Sequence, residues 1–538
     1  MTRTYPRWFS RAVFVLMIAA IIIRFFYWGY THRTWEDALI TVLHSENFVR
    51  GLGLTHLQPP GEPPLHGFTS PLSVLIPLLG DLVHVGWGLP FLKIVSAFCG
   101  AIAVWLGARI LQAANVPPGL ALIGAAYLAF EHHQILWGMA GMETEVVTVA
   151  YLASIYALQR GSQWQKGLSL GLVMLARPDG AMWVAIAFVF ELWRIRKSRA
   201  WRDLIPVIAG LTLLYAPWLI FTTLYYGSPV PNTIYAKLGY PSVWDQFHHT
   251  ARLAKPGWMV NRVFTSLFGG LGTAYGGNGT GYMPLRHGRR IAGGVLVFCA
   301  IGTIVAIKRR DLQALPIFAF AITYAAYLYF CAPVLFGWYT VPVAGAALLG
   351  GLYGLWAVAE RLVPAPYTER SAVAVGVIYT AIIISILPIT FRSDKYLQMY
   401  IETGVRKQLG LYLGRVSLPT DTIASESLGY VGYYSHRVIY DYPGLCSRDV
   451  VRFFRDHPES RNLPGIVEGM RPTYAVFRPK EYRDPQGNII YPWLAQRYDL
   501  VQVFKAPEEA RTKIFASNTN IDFEFDVLRL KGAPAAAQ

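Results

Sequence analysis

The chain has 538 residues, 54% of them hydrophobic and only 15% charged, against roughly 45–50% and about 25% in ordinary soluble proteins. That balance excludes a disordered or wholly soluble chain. The 48 Lys and Arg against 32 Asp and Glu leave a net +16. In a soluble protein this would point to nucleic acid, whereas in a membrane protein it marks one side of the bilayer, and no nucleic-acid partner is expected. Cys99, Cys299, Cys331 and Cys446 are too few and too scattered for a disulfide framework or a zinc site.

Arg3, Arg7 and Arg11 precede an apolar run over 12–30, long enough to cross a hydrocarbon core of about 30 Å. It is longer than a signal-peptide core and has no small-residue cleavage site behind it, so it reads as an uncleaved first span. Further spans are predicted over 91–111, 119–137, 145–159, 166–177, 180–193, 204–225, 291–307, 314–331, 340–358 and 371–390, about eleven in all. With the N-terminus in the cytoplasm, each cytoplasmic turn carries Lys or Arg: Arg109, then Arg160 and Lys166, the basic run 194–202, Lys308 to Arg310, and Arg361 with Arg370. These turns absorb most of the +16. The loops 31–90 and 226–290 and everything after 390 then lie outside the cytoplasm. The apolar stretch 70–88 contains Asp81 and His84 and is read as an interfacial helix.

From Asp421 the pattern changes to short strand-like pieces, 422–424, 438–440, 474–477, 500–504 and 523–528, interleaved with helical stretches such as 448–455. The expected architecture is a polytopic α-helical membrane protein over 1–390 followed by an extracytoplasmic soluble α/β domain over 391–538. No internal repeat or inverted pair of halves is visible.

Polar motifs gather at the outer ends of the spans. The first outer loop opens with Trp35-Glu36-Asp37-Ala38 and continues through His66-Gly-Phe-Thr69-Ser70-Pro-Leu72. Paired acids suit a helix start, which prefers negative charge, and equally a general base with a neighbour that orients substrate or holds a cation. Gly141-Met-Glu143-Thr144, Arg177-Pro-Asp-Gly180, Gly227 to Gly239 with Asn232, Tyr235 and Lys237, and Gly337-Trp338-Tyr339 lie at the same level. Each alone reads as a loop of turn formers. Together they bring acids, cations and aromatic faces to one side of the membrane. Nucleotide-sugars are scarce there, so an enzyme on that face needs an activated substrate that crosses the bilayer, such as a lipid-linked phosphate sugar. Arg177 and Lys237 could meet its phosphate. Lys237 equally fits an interfacial snorkelling lysine.

No motif implies a cofactor. His44, His56 and His66 share the first loop with the acids, which leaves a divalent metal ion open. His132-His133 and His248-His249 are adjacent pairs that do not share a helix face. The glycine-rich run 269–281 has no strand before it and is read as an outer loop, and Asn278-Gly-Thr280 is a glycosylation pattern only.

As a set, the acidic pair after the first span, Gly-Phe-Thr-Ser-Pro-Leu, Gly-Met-Glu-Thr, Arg-Pro-Asp-Gly and Ser-Pro-Val-Pro-Asn-Thr-Ile-Tyr-Ala-Lys resemble the bacterial GT-C glycosyltransferases, in particular the arabinofuranosyltransferase-like branch. The resemblance runs from about residue 30 to 345 and continues more weakly into 429–441. It implies an integral protein of the bacterial inner membrane that moves a sugar, arabinofuranose among the candidates, from a polyprenyl-phosphate donor to a glycan, lipid or protein acceptor. It also implies that Glu36 and Asp37 are the catalytic pair; Asp37 is the favoured one, because the extra methylene of Glu36 shifts its carboxylate by more than a bond length. The family pair is commonly Asp-Asp or Asp-Glu, and here it is Glu-Asp. His66, Thr69 and Ser70 fall in the segment expected to shape the donor site with Arg177 and Lys237. Glu143, Asn232, Tyr235, Trp338 and Tyr339 are substrate-binding candidates. Two other classes fit the same composition. One is a transporter or flippase of lipid-linked sugars, which would place its charges near the bilayer midplane. The other is an outer-face assembly factor, for which so many spans are a costly anchor.

Overall fold

The computed structural model describes residues 3–198, 201–238, 285–331, 336–364, 367–514 and 521–534. The glycine-rich run, the Asn278 pattern and His248-His249 lie outside the described residues.

The N-terminal part is helical: α1 (Arg7–Thr31), α2 (Glu36–Val49), α3 (Leu72–Val83), α4 (Gly88–Ala113), α5 (Pro118–Phe130), α6 (His132–Met139), α7 (Thr144–Arg160), α8 (Gln163–Ala176), α9 (Ala181–Ser198), α10 (Leu204–Tyr226) and α11 (Asn232–Lys237). Helices Leu285–Arg309, Leu315–Phe330, Gly337–Leu362 and Tyr367–Ser385 follow. Among the described residues six helical stretches are long and apolar enough to cross a membrane: Arg7–Thr31, Gly88–Ala113, Trp201–Tyr226, Gly288–Arg309, Gly337–Leu362 and Tyr367–Val416. The other predicted spans correspond to shorter helices. The run 119–137 is divided because Glu131 leaves helical geometry and caps α6, its carboxylate accepting from the main-chain N–H of His133 (2.8 Å) and Gln134 (3.1 Å). Helix α3 has 12 residues, about 18 Å at 1.5 Å per residue, too short for a hydrocarbon core of about 30 Å.

The helices share a core of buried residues that includes Val104, Leu111, Tyr127, Leu152, Phe318 and Leu349. One buried ion pair crosses it. The Arg24 guanidinium on α1 donates to Glu145 on α7 (Nε–Oε1 2.7 Å) and to the carbonyls of Leu128 and Ala129 (both 3.1 Å). The arginine fork is thus supplied with acceptors where no water reaches it.

The loop 31–90 contains two helices, and Asp81 ties them together. Its carboxylate accepts from Ser45 on α2 and from the N–H groups of Gly86 (2.9 Å) and Gly88 (2.8 Å) at the start of α4. The helix begun at Tyr367 does not stop near 390. It runs on through Leu387–Leu397, a π-helical stretch Gln398–Lys407 and Gln408–Val416, and so carries the end of the membrane part directly into the tail.

The tail holds a five-stranded sheet of order β2-β1-β3-β5-β4, with β1 (Thr422–Ser425), β2 (Val438–Asp441), β3 (Tyr474–Phe477), β4 (Tyr498–Lys505) and β5 (Glu524–Leu530). The first three strands are parallel, while β5 is antiparallel to β3 and β4. Strand alternation sends Ile423, Val476 and Val527 to one face, with Leu409, Leu413 and Val431. It sends Ala424, Phe477 and Leu528 to the other, with Val450, Phe454 and Ile466.

Candidate active site

Four parts of the chain fix the start of α2. Trp35, in extended conformation, donates its N–H to the carbonyl of Ala140 (2.8 Å), and its ring packs edge-on against Trp137 (4.8 Å) and Trp338 (5.6 Å). Lys93 on α4 donates to the carbonyl of Arg33 (2.6 Å) and to the Thr34 hydroxyl (3.1 Å). From the tail, Gln398 accepts from the Thr34 N–H (2.9 Å), and Glu402 pairs with Arg33 (3.0 Å). Gly141 permits the close approach: it adopts φ +88°, and a Cβ there would meet the Ala38 Cβ at 2.9 Å.

This packing sets Glu36 and Asp37 in the first turn of α2, where the unpaired N–H groups of the helix favour negative charge. Their surroundings differ. The Glu36 carboxylate accepts the N–H of Gly429 (3.1 Å) and lies 3.7 Å from Arg406, whose guanidinium also pairs with Glu402 (3.1 Å) and Asp522 (3.5 Å). Asp37 has no hydrogen-bond donor on its carboxylate among the described residues. It lies within the fields of Lys237 and Arg406, which favour its ionised form, and of Glu426 and Glu143, which oppose it. Burial dominates for both acids. It pushes Glu36 up to about 8, partly offset by Arg406, and Asp37 up to about 6, partly offset by Lys237. Of the pair, Asp37 is the one whose carboxylate has no donor or ion-pair partner among the described residues.

Glu143, whose charge acts on Asp37, is paired with Arg177. Arg177 caps the end of α8, and its guanidinium donates to both oxygens of Asp179 (Nε 3.0 and 3.2 Å) and to Glu143 (3.4 Å). It stacks over Tyr339 at 4.3 Å. Its positive charge is already matched by two carboxylates. Lys237, at the end of α11, makes no ion pair among the described residues, and its charge acts on both Asp37 and Glu143. Of the two cations expected at a phosphate, Lys237 is the uncommitted one.

The remaining expected residues divide. Thr69 shares a hydrogen bond with Thr233 on α11 (2.8 Å), and Ser70 donates to the carbonyl of Ala176 (2.5 Å). These bonds fasten the first loop to α8 and α11. Asn232 donates to the carbonyls of Gly444 (2.8 Å) and Leu445 (3.0 Å) in the tail. Tyr235 is exposed, and Trp338 is buried in the aromatic cluster under Trp35. His44, His56 and His66 do not assemble a metal site: among the described residues no cluster of three His, Cys, Asp or Glu could hold an ion. They pack as rings, His44 against His56 (5.9 Å) and Phe68 (5.1 Å), and His66 stacked on Tyr226 (4.7 Å). Burial holds His44 at about 4 and the other two at about 3, so all three are neutral. Arg406 and Glu426 stand out in no sequence motif, and nothing in the sequence places them or Gly429 beside the acids, which they reach from more than 360 residues along the chain. The motif around Gly429 was the one signal available.

The family described as Domain of unknown function (DUF8728) matches residues 396–522. No curated protein matches the chain by sequence. Among solved structures, the Archaeoglobus fulgidus oligosaccharyltransferase is similar with a TM-score of 0.54 at 12% identity, over 86% of this chain and 67% of that one. ArnT from Cupriavidus metallidurans, bound to undecaprenyl phosphate, gives 0.55 at 12% identity, over 98% and 99%. The arabinofuranosyltransferase AftD from Mycobacteria, 16% identical over 99% of this chain and 40% of that one, reaches only 0.46, a likeness too loose to say which branch the chain falls in. A helical membrane-type bundle of this order, with the acidic pair opening the helix after the first span, has the fold of the GT-C glycosyltransferases.

Proposed function

We propose that the protein is an integral-membrane glycosyltransferase that moves a pentose or hexose from a polyprenyl phosphate to a glycan, lipid or protein acceptor. We place the site on the extracytoplasmic face of a bacterial inner membrane, with the N-terminus in the cytoplasm. The observation that carries this reading is the free carboxylate of Asp37 under the charge of an unpaired Lys237, within a GT-C fold. Asp37 is the general base. It takes the proton of an acceptor hydroxyl as that oxygen bonds to the anomeric carbon. The bond from that carbon to the phosphate oxygen breaks, and polyprenyl phosphate leaves with the electron pair. Lys237 meets the charge that grows on the leaving phosphate. Glu36, held by Gly429 and Arg406, fixes the first turn of α2 and with it the aim of Asp37. The undecaprenyl phosphate bound to ArnT, a protein of the same fold, supports a polyprenyl-phosphate partner.

The test is transfer of labelled sugar from polyprenyl phosphates in proteoliposomes holding the purified protein and candidate acceptors. Covalent transfer lost in Asp37→Asn supports the assignment. Relocation of label across the bilayer without covalent transfer would make the protein a flippase instead.

A further inference from the structure

A cavity of about 520 Å³ borders α11, within the range of roughly 300–1,000 Å³ usual for ligand sites. Three parts of the chain wall it: the first loop through Leu65 and His66, the segment 226–238, and the tail helix Arg448–Asp456 with Arg461. Arg448, Arg452, Arg455 and Arg461 all line it, and among the described residues no carboxylate does. Leu65, Val451 and Phe454 give it an apolar wall.

The arginines have partners they can exchange. Arg448 pairs with Glu62 (3.3 Å), Arg452 with Asp449 (3.5 Å) and Arg455 with Asp456 (3.3 Å), all at partly exposed or exposed side chains. Such pairs contribute little, about 1 kcal/mol or less. Arg461 donates to the carbonyl of Ala236 on α11 (2.9 Å). His66, which also lines the cavity, is 4% exposed, and neither ring nitrogen has a hydrogen-bond partner. A buried imidazole N–H without an acceptor is costly, and a ligand oxygen in the cavity would supply one. The cavity is joined to the acids through α11, where Asn232, Tyr235 and Ala236 face it while Lys237 puts its charge on Asp37.

We propose that this cavity is a second anion site that holds the acceptor, a phosphate-bearing amphiphile whose phosphate meets the arginine forks and whose apolar body lies along Leu65, Val451 and Phe454. Guanidinium groups match phosphate oxygens in pairs, and Lys237 serves the donor's phosphate separately. That the ligand is the acceptor rests on the glycosyltransferase reading; that the cavity binds it does not.

Calorimetric titration of the full chain in phosphatidylcholine nanodiscs tests it, with dihexanoyl phosphatidic acid, dihexanoyl phosphatidylcholine and inorganic phosphate as probes. Phosphatidic acid is expected to bind at least tenfold more tightly than either other probe. The Arg448→Gln/Arg452→Gln variant should lose that binding at least tenfold with an unchanged melting temperature, and the corresponding double Lys variant should recover part of it. Inorganic phosphate binding as tightly as phosphatidic acid would overturn the amphiphile, and binding indifferent to the arginines would overturn the site. Asp37→Asn should bind like wild type. Retained binding with no transfer in the wild type would support the cavity and count against the proposed function alone.

Discussion

Glu36 and Asp37 are neighbours in sequence, yet the tail of the protein holds one and leaves the other open: Glu36 takes the N–H of Gly429 at 3.1 Å and faces Arg406 at 3.7 Å, whereas Asp37 has neither. Asp37→Asn should therefore lower transfer by about 10²–10⁴-fold, the usual contribution of a general base. Glu36→Gln keeps the acceptor for Gly429 and should cost about tenfold. Initial rates on matched amounts of folded protein distinguish the two.

The raised position of Asp37 sets a pH dependence. The base works ionised, so transfer should rise with pH through about 6 and fall tenfold per unit below it. Lys237→Ala removes the charge that favours the carboxylate, so the inflection should move up, whereas Lys237→Arg should leave it near wild type. Profiles of kcat/KM against pH show the shift.

The same group has a cost in stability. Its position rises from 3.8 to about 6 on folding, so the folded chain binds the proton more tightly and stability falls as pH rises through that window. Asp37→Asn removes the charge from its buried place. Its melting temperature at pH 8 should equal or exceed that of wild type, a gain on the order of 1 kcal/mol.

Gly429 tests how the tail meets the site. A Cβ there would collide with the carbonyl oxygen of Glu36. Gly429→Ala should push the helix Leu428–Ser435 away from α2, destabilise the protein by about 1–3 kcal/mol and reduce transfer more than Glu36→Gln does. Melting curves and rates measured together check it.

Arg24 and Glu145 bear on the bundle alone. Removing one partner, as in Glu145→Leu, strands a buried charge and should cost about 3–5 kcal/mol, while Arg24→Met with Glu145→Leu should recover most of that loss. Resistance to detergent or thermal unfolding measures both.

Periodicity alone located α1, α4 and α10, because long apolar runs permit little else. The five strands lie where β-branched and aromatic residues alternate. The acidic pair marks the start of α2, but the extent of that helix does not show in the sequence, where its polar residues mask a buried face that includes Leu39, Leu43 and Asn47. The division of the acidic pair was not legible at all. Arg406 and Gly429 act on Glu36 across some 370 to 390 residues of chain, and no local spacing encodes that contact. The histidines of the first loop suggest a metal by type and proximity, whereas the fold packs their rings against one another and against Phe68 and Tyr226, and among the described residues no group of three metal-ligating side chains forms.

The most direct test is single-turnover transfer from a labelled polyprenyl-phosphate sugar in proteoliposomes, comparing wild type, Asp37→Asn and Glu36→Gln with matched folding and insertion. Wild type should transfer the label, Glu36→Gln should do so at a reduced rate, and Asp37→Asn should lose at least a hundredfold. Full activity in Asp37→Asn would contradict the assignment of Asp37 as the base.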